Sequence, residues 1–137
     1  MSGHLCAKCG VDVKNRKSCK ACGTLVIFLV KDNPLESKIK ADIRLALVQA
    51  GAICWVHNVD NRNLSTGLGI GTADLICVVP PYGRFLGIEV KRPSGSRTAD
   101  AQKAWLAVVR KFGGVSGIAR NVEEALVLLE EARHAGN

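Results

Sequence analysis

The spacing of apolar positions changes along the chain, and it predicts the order of helices and strands. Apolar residues recur every three or four positions between 35 and 50, as on the buried face of a helix that ends at Gly51. Short apolar runs typical of strands follow in the segments AICWVHNV, TADLICVVP and RFLGIEV. A second helix to about Phe112, a short strand in GVSGIA and a last helix complete the pattern. The order helix, three strands, helix, strand and helix predicts an α/β domain with a central mixed sheet.

Polar residues ahead of each helical segment predict where the helices begin. Asn33 can cap the first helix, and Glu36, three residues later, can complete a capping box. Thr98 can cap the second helix, and Asn121 with Glu124 makes a capping box for the last one. For Glu36, the capping box is a structural explanation that stands beside any role in chemistry.

The first 30 residues differ in composition from the rest of the chain. Four of the six cysteines lie here as two C-x-x-C pairs, each followed by glycine: Cys6, Cys9, Cys19 and Cys22. Two such pairs suit tetrahedral thiolate coordination of zinc, and a segment this short needs the metal in order to fold. We therefore predict a zinc ribbon over residues 1–30 and a second domain over residues 31–137. Disulfide pairing is the alternative, and it is disfavoured inside a cell.

No part of the sequence predicts attachment to a membrane. The longest apolar run, TLVIFLV, is too short to cross a bilayer, and the first residues do not resemble a signal peptide. We therefore expect an intracellular, cytoplasmic protein. Its net charge is +7, with five basic residues against one acidic in 1–30 and seven against two in 82–111. This uneven charge fits a polyanion such as nucleic acid, and an ordinary solvated surface explains it equally well.

Two charged residues lie at the end of the apolar segment GRFLGIEVKRP, where burial would be costly. Glu89 and Lys91 are two positions apart, so on a strand their side chains share a face. Asp74 lies near the start of the preceding strand, and pairing of the two strands would bring it close to Glu89. Two convergent carboxylates suit Mg²⁺ or Mn²⁺, and the adjacent lysine can stabilise a phosphate or an attacking hydroxide. A metal and a phosphodiester would account for both charges.

Asp74 followed by Glu89-Val90-Lys91 resembles the motif of the PD-(D/E)XK nuclease superfamily. The longer stretch from GTADLICVVPPYGRFLGIEVKRP through QKAW to the glycine-containing last strand resembles, more closely, the VRR-NUC family of stand-alone, phage-type nucleases. The resemblance spans about residues 35–128. It implies a restriction-endonuclease-like fold with metal-dependent cleavage of DNA. It also implies a branched substrate, such as a Holliday junction or flap, and a homodimer.

The resemblance assigns a role to each residue of the motif. Asp74 and Glu89 would bind the catalytic metal, with the Val90 carbonyl as a third ligand. Lys91 would orient or activate the attacking water. One departure from the family is Ala73, where proline usually stands just before the aspartate. That proline is structural, so its absence leaves the metal ligands intact.

Two helical residues are carried over as well. Gln102 matches the glutamine that supports the lysine and the scissile phosphate, although it can also be a surface residue of the helix's first turn. Glu36 matches the acidic residue of the first helix that reaches the metal through water. The alternative role of Glu36 is that of a helix cap.

The predicted function is therefore cleavage of DNA by a metal-dependent endonuclease, with the basic zinc ribbon helping to hold DNA. The alternative is a zinc-ribbon DNA-binding or regulatory protein whose nuclease fold no longer cuts. The Gly-rich loop DNRNLSTGLGIG lacks the lysine-threonine pair of a nucleotide P-loop. We interpret its glycines as a means of letting the loop pass close to DNA: Gly67, Gly69 and Gly71.

Overall fold

The fold is given by a computed structural model, which describes Cys22 and residues 33–57, 69 and 71–134. The chain divides into two units, Met1–Asp32 and Asn33–Asn137. The predicted zinc ribbon, apart from Cys22, therefore lies outside the described residues, as does most of the Gly-rich loop. Within the described ranges, no helix is long and apolar enough to cross a bilayer.

The described part of the second unit contains helices and strands in the predicted order. These are α1 (Glu36–Gln49), β1 (Ile53–Val56), β2 (Leu75–Val79), β3 (Arg84–Val90), α2 (Asp100–Lys111), β4 (Val115–Ala119) and α3 (Val122–His134). The strands form one sheet in the order β1-β2-β3-β4. The first two pairs are antiparallel, and β3 pairs with β4 in parallel. This mixed sheet with flanking helices confirms the predicted fold class.

One face of the sheet is the core of the unit. Side chains alternate along β3, so Leu86, Ile88 and Val90 point to the same face, and all three are fully buried. They belong to one apolar cluster with residues of α1 and α3, among them Ile43, Leu47 and Leu129. The periodic apolar positions of the sequence therefore make this core.

The other face of β3 is covered by α2, and the contact depends on a glycine. Trp105 of α2 lies against Gly87, where an added Cβ would sit 2.6 Å from the indole ring. The ring also packs against Phe85, with 6.1 Å between centroids. No residue of α2 is fully buried. The first turn of α2 thus lies beside the end of β3.

The predicted cap of the first helix is wrong. The residue that precedes α1 is Leu35, and no side chain caps the helix. The Asn33 side chain instead pairs with the backbone of Ser94, with both bonds at 3.4 Å, and its carbonyl accepts a 3.0 Å bond from the Arg92 guanidinium. The sequence pattern predicted the wrong role because the side-chain amide of Asn33 binds Ser94, which is 61 residues away in the chain.

Of the predicted caps of the other two helices, one is wrong and one is confirmed. Thr98 does not cap α2, because the helix begins one residue later, after Ala99. The capping box of α3 is confirmed at its main bond, in which the Glu124 N–H donates to Asn121 Oδ1 at 2.8 Å. The Glu124 carboxylate accepts from the Arg120 N–H, also at 2.8 Å, one residue ahead of the predicted donor.

Candidate active site

Asp74 lies where the chain enters β2, and three separate segments hold it. Its Oδ2 accepts a 3.0 Å bond from the Val90 N–H on β3, and its Oδ1 pairs with Lys40 Nζ of α1 at 2.8 Å. Its backbone carbonyl accepts from the His57 N–H at 2.7 Å. The strand register explains the first contact, since Leu75 stands opposite Ile88 and places Asp74 beside the end of β3. Asp74 therefore has a fixed orientation.

Glu89 and Lys91 form a buried ion pair at the end of β3. Their side chains are 3% and 10% exposed, and Glu89 Oε1 lies 2.9 Å from Lys91 Nζ. The two-residue spacing puts them on one face of the sheet, as predicted, and this is the face that α2 covers. An ion pair this deep is stabilising only when further bonds offset the loss of hydration.

Gln102 supplies further bonds from the first turn of α2. Its Nε2 donates to Glu89 Oε1, and its Oε1 accepts from Lys91 Nζ at 3.3 Å and from the Ala99 N–H at 2.9 Å. The side chain is thus half-buried and bridges both members of the ion pair. This geometry excludes the alternative of a plain surface residue.

The second carboxylate oxygen of Glu89 takes no part in this hydrogen-bond network. Oε2 is buried, and it has no hydrogen-bond partner among the described residues. Burial raises the pKa of Glu89, the bond from Lys91 opposes this, and the carboxylates of Asp74 and Glu36 raise the pKa further. The net shift is upward, so the site disfavours the ionised form despite its lysine.

These properties fit a divalent cation. A cation at Glu89 Oε2 would satisfy the unpartnered oxygen and offset the repulsion from Asp74. Among the described residues, no three Asp, Glu, His or Cys side chains form a metal site by themselves. Two carboxylates with backbone and water oxygens are nevertheless the environment in which proteins bind Mg²⁺.

The Val90 carbonyl lies on the correct side of β3 for the role predicted for it. The N–H and C=O of one strand residue point to the same side, and the Val90 N–H donates to Asp74. Its carbonyl therefore faces Asp74 as well.

Glu36 is the first residue of α1, and it is half-buried. Since Asn33 does not cap the helix, the capping-box interpretation of Glu36 is wrong. Its carboxylate is close enough to contribute to the raised pKa of Glu89. The structure thus brings Glu36 near the predicted ligands.

Sequence reasoning missed one residue at this site, Lys40. Lys40 lies one helical turn after Glu36, a spacing that puts both on one side of α1. That spacing was the available signal. Its partner Asp74 is 34 residues away, however, and only the packing of α1 on the sheet brings the two together.

Gly71 has a structural role that differs from the predicted one. Its φ is +89°, and an added Cβ would lie 2.5 Å from the Ala101 carbonyl oxygen of α2. The chain leading to Asp74 thus passes directly against the first turn of α2, which no other residue would permit. Close contact with α2 explains this glycine without DNA, whereas Gly67 lies outside the described residues.

Comparison with known proteins agrees with this fold. A solved structure described as a VRR_NUC domain is 18% identical to the chain, with a TM-score of 0.53 over 69% of this chain and 94% of the other. The likeness to this structure places the chain in the α/β fold class that the mixed sheet already indicates. The profile of the VRR-NUC domain matches residues 42–123, more than half of the chain. The chain therefore belongs to the VRR-NUC family of nucleases, whose substrate is DNA. No curated protein matches it.

Proposed function

We propose that this nuclease is a metal-dependent DNA endonuclease that uses Asp74, Glu89, Lys91 and Gln102. The observation that carries the proposal is the buried Glu89–Lys91 pair, which lies beside a second carboxylate and retains an unpartnered oxygen. Such a group destabilises a fold unless a ligand uses it. A divalent cation and a phosphodiester together match the charges of the site.

Asp74, Glu89 and the Val90 carbonyl are the groups that would hold the cation, and Glu36 would reach it through water. Oxygen donors of this kind favour Mg²⁺ or Mn²⁺. When bound, the cation would stabilise negative charge on the scissile phosphate and lower the pKa of an attacking water.

Lys91 is oriented for the reaction by its two partners. Its ammonium has three N–H donors, and Glu89 Oε1 and Gln102 Oε1 accept from two of them. The third can donate to the attacking water or to a phosphate oxygen. Gln102 fixes both Glu89 and Lys91, so the positive charge stays at the place where negative charge develops.

The resemblance to the family supports a branched substrate, such as a Holliday junction or flap, cut by a homodimer. Two copies would place two such sites on one junction. The predicted zinc ribbon would add phosphate contacts through its basic residues.

The experiment compares the parent with Asp74→Asn and Lys91→Met on labelled duplex, flap, splayed-arm and four-way junction DNA, with Mg²⁺ or Mn²⁺. We expect cleavage of branched DNA by the parent and a loss of roughly 10²-fold or more in each variant, because each residue acts on charge in the transition state. The Lys91→Met variant should still bind Mn²⁺. Light scattering on the same samples measures the oligomeric state.

Lys103→Met is the matched control, because Lys103 is an exposed lysine that contacts Asp100 in the same first turn of α2. Its activity should equal that of the parent. Parental rates in Lys91→Met would contradict the mechanism. A parent that binds branched DNA and cuts none of it with either metal would support the non-cleaving alternative.

A further inference from the structure

Lys40 forms an ion pair with one of the two carboxylates that the proposed metal site needs. Its Nζ lies 2.8 Å from Asp74 Oδ1, and the two side chains are 19% and 18% exposed. The other oxygen of Asp74 accepts the Val90 N–H. Both oxygens of this carboxylate are therefore engaged.

The two carboxylates of the site differ in this respect. Glu89 shares Oε1 with Lys91 and Gln102, and its Oε2 is without a partner among the described residues. A cation bound at Glu89 Oε2 would not have to break an existing hydrogen bond of that oxygen. At Asp74 it meets an ammonium group already in contact with the carboxylate.

The ammonium of Lys40 and a divalent cation cannot both bind Asp74 closely without strong repulsion. Lys40 also lines a groove between α1 and β1, together with Ser37, Arg44 and Val56, which offers its ammonium group another place. A long, flexible lysine side chain can withdraw toward that groove while α1 stays in place. The exchange therefore needs no change in the fold.

We propose that Lys40 is a positioning residue that holds Asp74 in the metal-free protein and competes with the divalent metal for its carboxylate. The inference rests on the proposed function, because it takes Asp74 as a metal ligand. Lys40 sets the metal concentration at which the site fills. A lysine that only fixed Asp74 for the metal would have the opposite effect on affinity.

The test measures Mn²⁺ binding to the full chain by electron paramagnetic resonance of free Mn²⁺, without DNA and without cleavage. Lys40→Met keeps the length of the side chain and removes its charge. We expect a Kd for Mn²⁺ lower by about fivefold or more, because the competing charge is gone. Lys40→Arg retains a cation at Asp74 and should keep the Kd near that of the parent.

Lys38→Met is the matched control, because Lys38 is an exposed lysine of the same helix that pairs with Asp42 at 2.7 Å. Its Kd should not change. An unchanged or higher Kd in Lys40→Met, while Asp74→Asn abolishes binding, overturns the role of Lys40 and leaves the proposed function standing. Absence of Mn²⁺ binding in every variant, Lys40→Met included, overturns both.

Discussion

Several neighbouring groups shift the pKa of Glu89, and they do so in opposite directions. Burial raises its pKa, the bond from Lys91 lowers it, and the carboxylates of Asp74 and Glu36 raise it again. A glutamate in an unfolded chain has a pKa of about 4.3 and is ionised at neutral pH. Because the folded pKa is higher, the folded protein holds this charge at a cost that the unfolded chain does not bear. The ionised carboxylate thus reduces the stability of the folded protein at neutral pH.

The stability of Glu89→Gln relative to the parent should therefore increase as the pH rises, when no divalent metal is added. A group with a raised folded pKa stabilises fully below its unfolded pKa, and this stability is lost as the pH rises through the folded pKa. Glutamine does not titrate, so the variant avoids the loss. Thermal unfolding midpoints between about pH 4 and pH 8 should diverge as the pH rises. Equal midpoints across that range would contradict the burial of an ionised carboxylate.

Glu131 provides a control with the opposite sign. Its bond from Arg110 lowers its pKa, so its contribution to stability is present at neutral pH and is lost as the pH falls through the folded pKa. Glu131→Gln should be less stable than the parent at neutral pH and should approach it in acid. The two glutamate variants thus have opposite pH dependence in one protein.

The individual site residues differ in how well a sequence can predict them. Glu89 and Lys91 follow from the two-residue period of a strand, and Asp74 follows from the pairing of neighbouring strands. The Asp74–Lys40 contact depends on how α1 packs across the sheet, which no local pattern contains. The Asn33 cap failed for the same reason, since Ser94 binds its side chain from a distant loop.

At the scale of elements, the position of α2 decides the geometry of the site. This helix carries Gln102, yet none of its residues is fully buried. Trp105 on Gly87 anchors its middle, and Arg110 bonds to the Ser116 carbonyl at 2.8 Å near its end. Gly71 packs against its first turn. The helix that orients Lys91 thus rests on the sheet without burying any of its own side chains completely.

Gly87→Ala should weaken this attachment. The new methyl group would lie 2.6 Å from the Trp105 ring, and overpacking of this kind costs about 1–3 kcal/mol. Cleavage should fall further than stability predicts, because displacement of α2 moves Gln102 away from Lys91. Urea unfolding and cleavage rates on the same preparation measure both effects.

The double variant Gly87→Ala with Trp105→Leu tests the cause. A smaller side chain makes room for the methyl group, so the double variant should recover part of the activity lost in Gly87→Ala. Additive losses would mean that the glycine acts through the strand alone.

At the scale of the whole molecule, the predicted zinc ribbon and the nuclease unit should fold independently. Among the described residues, the apolar cluster of the second unit runs from Ile39 to Ala132. Cys19→Ser in the full chain should lose about one zinc per chain, because four thiolates share the metal. The unfolding midpoint of the nuclease unit should not change. Elemental analysis and thermal unfolding test both points.

Cys54→Ala is the reciprocal control. Cys54 is buried in the second unit, with its sulfur 2.9 Å from that of Cys77. The variant should keep its zinc and lose stability in the nuclease unit through the cavity it creates. Absence of zinc from the parent, purified without chelators, would contradict the predicted ribbon.

The sequence predicted the overall fold well, because the helices and strands each have a clear apolar period. The order of elements and the hairpin from β2 to β3 follow from local patterns. The parallel pairing of β3 with β4 depends on α2 crossing the sheet. No periodic pattern in the sequence predicts the shallow packing of α2 on Gly87.

Asn33 also determines how mechanical load enters the nuclease unit. It is the first residue of the unit, and its side-chain amide and backbone carbonyl bind Ser94 and Arg92, just past Lys91. Tension that arrives along the chain from the preceding residues is therefore taken up by the loop after β3. The first turn of α1, which carries Glu36, is shielded from it. We expect a pull on the N-terminal segment to loosen the loop after Lys91 before it unwinds α1.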